Sequence, residues 1–239
     1  MKLIESTKGW NVLITGASSG IGLAAAELFI NEGFNVYGLD LKPSGITRFT
    51  KEVLEKYYHH YIVDIRDKAA LPDLPAMQII INNAGQQNSD DDLGHNLIGS
   101  MNVTEKYALS NPHIRSVLFN ASASAHTGFE FAEYSASKAG LIGYMKHCAW
   151  RLAKVHATCN SISCGGVATS LNDAVMDDEA LWEEIMKVTP LKQWATAEEI
   201  AKWIYFLTVV NKSCSGQDIL IDNREKDLNC TFVFPGFSY

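Results

Sequence analysis

Thr15-Gly16-Ala17-Ser18-Ser19-Gly20-Ile21-Gly22 is the stretch whose reading decides the fold. Before it stands a short apolar run, residues 10–15, that reads as a strand. After it, residues 20–32 place Ile21, Ala24, Ala25, Leu28 and Phe29 at helical spacing. A strand, a glycine-rich turn and a helix open a βαβ unit. Gly16 permits the tight turn, while Gly20 and Gly22 remove side chains where backbone must approach a pyrophosphate and where helix meets sheet. The helix start adds free N–H groups and the positive end of its dipole, and Ser18, Ser19 and Ile21 belong to the same cradle. The spacing Gly-x-x-x-Gly-x-Gly differs from the Gly-x-Gly-x-x-Gly of other dinucleotide folds, and the Lys-Ser/Thr ending of a P-loop is missing. The bland alternative is a glycine turn that holds nothing.

Working outward, apolar runs alternate with helical patterns. Further strands are expected at 35–40, 60–64, 78–82, 116–121, 159–163 and 219–222, with helices at 96–109, 134–155 and 197–210. The pattern predicts an α/β fold, a Rossmann-type three-layer sandwich on a mostly parallel sheet of about seven strands. Its ligand should lie at the carboxyl ends of the strands. No repeat or Pro/Gly-rich linker divides the 239 residues, so one domain over 1–239 is expected.

Composition narrows the function classes. Hydrophobic residues make up 47% and charged residues 20%, a globular balance. The net charge of -7 with no basic stripe argues against a nucleic-acid surface. Asp177, Asp178, Glu179, Glu183 and Glu184 read as a solvated helix face. The five cysteines, Cys148, Cys159, Cys164, Cys214 and Cys230, are odd in number and lack Cys-x-x-Cys spacing, so neither disulfides nor a zinc site is expected. His59-His60 has no metal-ligand spacing either, and no metal is expected. No long apolar run suggests a membrane helix or signal peptide, which makes the cytoplasm the expected location.

Asp40 closes the second strand, where a carboxylate can accept hydrogen bonds from an adenosine ribose and repel a 2′-phosphate. Leu41 follows it, and no Arg or Lys occupies Ser18 or Ser19. That favours NAD over NADP, with Lys42 as the reason for keeping NADP open. A strand-end cap is the plainer role for Asp40. Tyr134 and Lys138, four apart at a helix start, share one face. A phenol near pKa 10 needs help to move protons at neutral pH, and a nearby ammonium supplies it. Ser122, at the end of a strand upstream, joins them, with Ser124 as its competitor.

These motifs, with Asn82-Asn83-Ala84-Gly85 and Asn96, stand in an order that resembles the short-chain dehydrogenase/reductase family in its short form. The resemblance runs from about residue 9 to 222 and takes in 160–167 and 216–222. It implies an NAD-dependent oxidoreductase acting on a small alcohol or carbonyl substrate. It implies Tyr134 as general acid/base, Lys138 on the nicotinamide ribose, Ser122 on the substrate oxygen, and Asn96 kinking its helix and holding a water that serves Lys138. Asn82, Ala84 and Gly85 would form the floor under the cofactor, Asp64 and Ile65 would meet adenine, and Gly165, Val167 and Thr169 would lie beside the nicotinamide. A plain helix cap is the rival role for Asn96. A homotetramer or homodimer is the assembly the family implies.

Three departures stand out. Leu71, Pro72, Leu74 and Pro75 make a helix before residue 78 unlikely to form, and the stretch 85–96 is short and polar. Cys164 and Asn223 replace an expected proline and glycine; Cys164 reads as a small buried residue, with a redox-sensitive thiol as the alternative. Residues 170–190 would form a lid whose apolar side chains close on an apolar ligand or pack on the protein's own body. The aromatic tail 231–239 is expected to dock at a subunit interface or a neighbouring site rim. A carbonyl reductase using NADP, and a silent dinucleotide-binding sensor or scaffold, are the alternatives to the NAD enzyme.

Overall fold

A run of three isoleucines, Ile79 to Ile81, shows how the layers form. Ile79 and Ile81 point into one core and Ile80 into the other, because side chains alternate along a strand. A strand buried on both faces belongs in the middle of a parallel sheet. The computed structural model describes residues 7–128 and 131–223 and places this strand there.

The elements in chain order are β1 (Asn11–Thr15), α1 (Gly20–Asn31), β2 (Asn35–Asp40), α2 (Lys51–Tyr57), β3 (Tyr58–Ile62) and β4 (Ile79–Asn82). A π-helical turn (Leu93–Ile98) leads into α3 (Gly99–Tyr107), followed by β5 (Ser116–Asn120), α4 (Ser124–Thr127), α5 (Ala132–Leu152) and β6 (Thr158–Cys164). Then come β7 (Val167–Ala168), α6 (Asp173–Met176), α7 (Glu179–Val188), β8 (Ala195–Thr196), α8 (Ala197–Tyr205) and β9 (Asp218–Ile221). Seven strands form one sheet in the order β3-β2-β1-β4-β5-β6-β9, and every pairing is parallel. The strand order reverses between β1 and β4, the topological switch point at which such sheets open a crevice.

Each face of the sheet is closed by two helices. On one side α1 and α8 cover Val12, Ile14, Ile79, Ile81, Leu118 and Ile162 with Phe29, Ile200 and Ile204. On the other α3 and α5 cover Leu13, Ile80, Val117 and Phe119 with Val103, Leu141 and Met145. A capping box at Thr196 and Glu199 starts α8: Glu199 N–H donates to the Thr196 hydroxyl, and the Glu199 carboxylate accepts from Thr196 N–H.

Several boundaries differ from those expected of the sequence. The third strand lies two residues earlier than 60–64, because its register sets Tyr58 opposite Val36 and Asp40 opposite Ile62. Ile62, at the end of the strand, is 64% exposed. The helix α2 was not anticipated; none of its residues is fully buried, so its apolar periodicity is faint. The expected helices at 96–109 and 197–210 each contain a π-helical turn, Leu93–Ile98 before one and Phe206–Val210 ending the other. The absence of a helix between residues 67 and 78 is as expected, and Leu71 and Met77 instead fill the second core from an irregular segment. The tail 231–239 and Cys230 lie outside the described residues.

Phe29 tests the first core. Its ring is fully buried, edge-on to Phe34 with centroids 5.1 Å apart, and 5.4 Å from the ring of Tyr205. Phe29→Ala is expected to cost about 3–5 kcal/mol, read as a lowered urea midpoint with unchanged slope.

Candidate active site

The glycine turn is held from behind by β4. The buried Thr15 hydroxyl accepts N–H bonds from Asn83 and Ala84 at 3.0 and 2.9 Å. The Asn83 amide donates back to the carbonyl oxygens of Thr15 and Gly16. Gly16 has φ +67, and a Cβ there would stand 2.9 Å from the Ala84 Cα. A Cβ on Gly22 would drive into the carbonyl oxygen of Gly16. Ser19, the extended residue before α1, makes no side-chain cap, which leaves the first N–H groups of the helix facing the crevice. A tight glycine turn that leaves the first N–H groups of the helix uncapped fits a pyrophosphate.

Asp40 sits beside this turn at the end of β2. One carboxylate oxygen accepts the Ser18 N–H and the other the Lys42 N–H, both at 2.9 Å. It is therefore a strand-end cap as well as the acid at the crevice wall. Leu41 is exposed next to it. Asp64 is gripped by Arg66 over 2.7–3.2 Å, and Arg66 also reaches Asp91 at 3.1 Å. Hydrogen bonds from Arg66 hold the Asp64 carboxyl below its usual range. Ile65 turns its side chain into the second core, so only its backbone is left to the crevice.

A second cluster gathers where β5 and α5 meet. Lys138 is 4% exposed, and its ammonium donates to the Asn120 carbonyl oxygen at 2.8 Å. One helical turn earlier on α5, the Tyr134 ring centre lies 5.6 Å from that ammonium. Burial pushes Lys138 down to about 8, and Cys164 and Asp92 offset only part of this. Gly85 borders the same space, because a Cβ on it would lie 3.0 Å from Lys138 Nζ and 3.1 Å from Asn96 Oδ1.

Asn96 sits in the π-helical turn, so the helix is distorted at the expected place. Its amide is fully used: Oδ1 accepts the Gln86 N–H, and Nδ2 donates to the Gln86 carbonyl and to the Ser137 hydroxyl. Ser137 in turn donates to the Tyr134 carbonyl at 2.7 Å. Ser122 is buried two residues past β5, and its hydroxyl accepts the Ser124 N–H at 3.2 Å, starting α4. Asn82 donates to Thr104 from below, at 3.0 Å.

The far wall is the segment after β6. Gly165 donates to the Ile221 carbonyl, Val167 is buried in the short β7–β8 pairing, and the Thr169 methyl comes within 3.5 Å of where a Cβ on Gly20 would stand. Cys164 is buried, and burial pushes its thiol up to about 12, which leaves it protonated and unreactive. In the lid region Trp182 meets Trp194 edge-on at 5.0 Å, and Trp194 lies over Gly166. These rings pack on the protein's own body, whereas Leu171 and Leu181 remain exposed. Asp178 caps α7 through the Leu181 N–H. Among the described residues no group of three or more His, Cys, Asp or Glu could hold a metal, and no helix is long and apolar enough to cross a membrane.

Several residues of this site carry no motif signal. Asn120 joins the two clusters: its backbone carbonyl accepts a hydrogen bond from the Lys138 ammonium, and its side-chain amide donates to Asn83 Oδ1. His126 on α4 meets Asp218 of β9 at 2.7 Å and so ties the Ser122 turn to the sheet edge. Only the adjacency of strands brings these pairs together.

The family described as Enoyl-(Acyl carrier protein) reductase matches residues 16–223. A 3-oxoacyl-[acyl-carrier-protein] reductase of Thermotoga maritima is 28% identical over 235 residues, covering 88% of this chain and 95% of the relative. An NADP-dependent mannitol dehydrogenase of Alternaria alternata is 30% identical over 265 residues, covering 93% and 94%. Among solved structures, a 4-hydroxyisoleucine dehydrogenase complexed with NADH superposes with TM-score 0.80 at 26% identity, over 90% of this chain and 98% of the other. A nicotinamide-dinucleotide oxidoreductase of alcohol- and ketone-type substrates is the class that fold, cradle and relatives define. The chain belongs to the short-chain dehydrogenase/reductase family.

The Lys138 ammonium carries a prediction for stability. Its folded value, about 8, lies below the unfolded 10.5, so between them the unfolded chain binds more protons and stability rises with pH. Urea midpoints of the protein and of Lys138→Met, measured in parallel, should diverge in favour of the wild type from about pH 8 to pH 10.5. A constant difference would show that the ammonium is not desolvated.

Proposed function

We propose that the protein is an NAD-dependent oxidoreductase that exchanges hydride between nicotinamide and a secondary alcohol or ketone. The observation that carries this reading is the buried Lys138 ammonium, 5.6 Å from the Tyr134 ring centre. When bound, the nicotinamide supplies the hydride chemistry. In alcohol oxidation Tyr134 takes the hydroxyl proton of the substrate; in carbonyl reduction it returns one. The Lys138 charge favours the phenolate that does so, and its ammonium would bond the ribose hydroxyls. Ser122, its hydroxyl held by the Ser124 N–H at the start of α4, donates to the substrate oxygen as charge grows there. Ser124 is helical, inside α4, which supports Ser122 over it.

Asn96 acts through structure: its bonds to Gln86 and Ser137 hold the loop after Gly85 against the second turn of α5. Gly16, Ser18, Ser19, Gly20, Ile21 and Gly22 would hold the pyrophosphate, with Asp40 on the adenosine ribose. A carboxylate at the crevice wall supports NAD. The NADP of the Alternaria alternata relative keeps an NADP-dependent carbonyl reductase as the second reading, with Lys42 next to Asp40 as the residue that would serve it.

Turnover over a panel of secondary alcohols and ketones with each dinucleotide tests the proposal. Tyr134→Phe should lower turnover by about 10²–10⁴-fold while leaving dinucleotide affinity unchanged. Equal turnover in both proteins would remove Tyr134 from the mechanism, and turnover by neither would favour a binding protein.

A further inference from the structure

Two aromatic residues of the edge strand sit behind the loop that follows Asp40. Tyr58 and His60 of β3 lie on one face of the strand. The Tyr58 hydroxyl reaches across β2, where Gly38 leaves room: a Cβ there would stand 2.6 Å from that oxygen and 3.0 Å from the Ala17 Cβ of the glycine turn. Tyr58 Oη and His60 Nδ1 are 2.9 Å apart, and His60 Nε2 is 2.8 Å from the Lys42 carbonyl oxygen. A carbonyl oxygen only accepts, so Nε2 carries the proton and donates. In the neutral ring Nδ1 then accepts, and the Tyr58 hydroxyl donates to it. Ser44, further along the same loop, bonds the Tyr58 hydroxyl in turn.

This chain fixes Lys42 by both backbone polar groups. Its carbonyl is held by His60 and by the Ser18 hydroxyl, and its N–H is held by Asp40. Asp40 places its other oxygen on the Ser18 N–H. Gly45 presses on the same turn, since a Cβ there would collide with the Ser18 carbonyl oxygen. The carboxylate that meets the adenosine ribose is thus oriented by a loop that Tyr58 and His60 anchor.

We propose that Tyr58 and His60 are positioning residues for the choice of dinucleotide: they hold the Lys42 backbone on Asp40 and so fix the end of β2 in the form that takes a ribose diol and rejects a 2′-phosphate. Neither residue touches the dinucleotide. Without the anchor, the Lys42 N–H releases Asp40, the carboxylate swings, and the Lys42 ammonium can approach a 2′-phosphate. The proposal rests on the reading of residues 15–22 and Asp40 as the dinucleotide site.

The test is binding, not turnover. NADH and NADPH affinities are measured by fluorescence titration of the full chain and of His60→Leu, His60→Gln and Tyr58→Phe at one slightly alkaline pH, with melting curves to confirm folding. Gln presents an N–H at the place of Nε2 and serves as the conservative rescue. In His60→Leu the preference for NADH should narrow about fivefold, the factor that one hydrogen bond corresponds to. His60→Gln should keep the wild-type ratio, and Tyr58→Phe should fall between. A purely structural role would weaken both dinucleotides equally, and an unchanged ratio in folded His60→Leu overturns the proposal. If His60→Leu does not fold, an unchanged ratio in Tyr58→Phe does the same. The site reading is judged separately, on the wild type: binding of neither dinucleotide, or tighter NADPH, overturns that reading and this proposal with it.

Discussion

The Thr15 hydroxyl takes the place of a sheet ladder where the ladder stops. β1 and β4 pair only as far as Ile14 and Ile81, and beyond them the strands part at the switch point. There the hydroxyl accepts the N–H groups of Asn83 and Ala84, and Asn83 returns its amide to Thr15 and Gly16. Asn120 then ties β5 to the same Asn83. A buried N–H left without a partner costs about 1–3 kcal/mol, so these bonds set the separation of the strand ends closely. The glycine turn, the segment up to Gly85 and the Lys138 anchor on Asn120 all stand on that spacing.

The cost of the arrangement is concentrated in Lys138. A buried ammonium is unfavourable unless its surroundings replace water, and here a carbonyl oxygen and an aromatic face do so in part. Burial still lowers the affinity of Lys138 for its proton, so the replacement is incomplete. Such strain persists when neighbouring structure over-determines the geometry, as Asn96, Ser137 and Gly85 do here. Cys164 and Asp92 restore only part of that proton affinity.

The trimmed flank of the sheet is closed by other means than a helix. Arg66 bridges Asp64 and Asp91, and Asp91 also accepts the Gly94 N–H at the start of the π-helical turn. Asp92, buried beside it, accepts from the backbone of Asn88 and Ser89. A short polar loop thus becomes an ordered rim, because its carboxylates satisfy the backbone N–H groups that a helix would have paired internally.

Periodicity and glycine spacing were enough to determine the layers, the parallel sheet and the crevice at the head of α1, since those follow from local chain preferences. Tyr134 and Lys138 were legible because four residues make one helical turn. Register was not: β3 took its place two residues before the expected 60–64 from pairing with β2. The Asn83–Asn120 link, the His126–Asp218 tie and the His60–Lys42 anchor were decided by tertiary structure alone. Each joins residues from different stretches of the chain. The sequence names the donors and acceptors, but only the packing of sheet on helix brings them within hydrogen-bond distance.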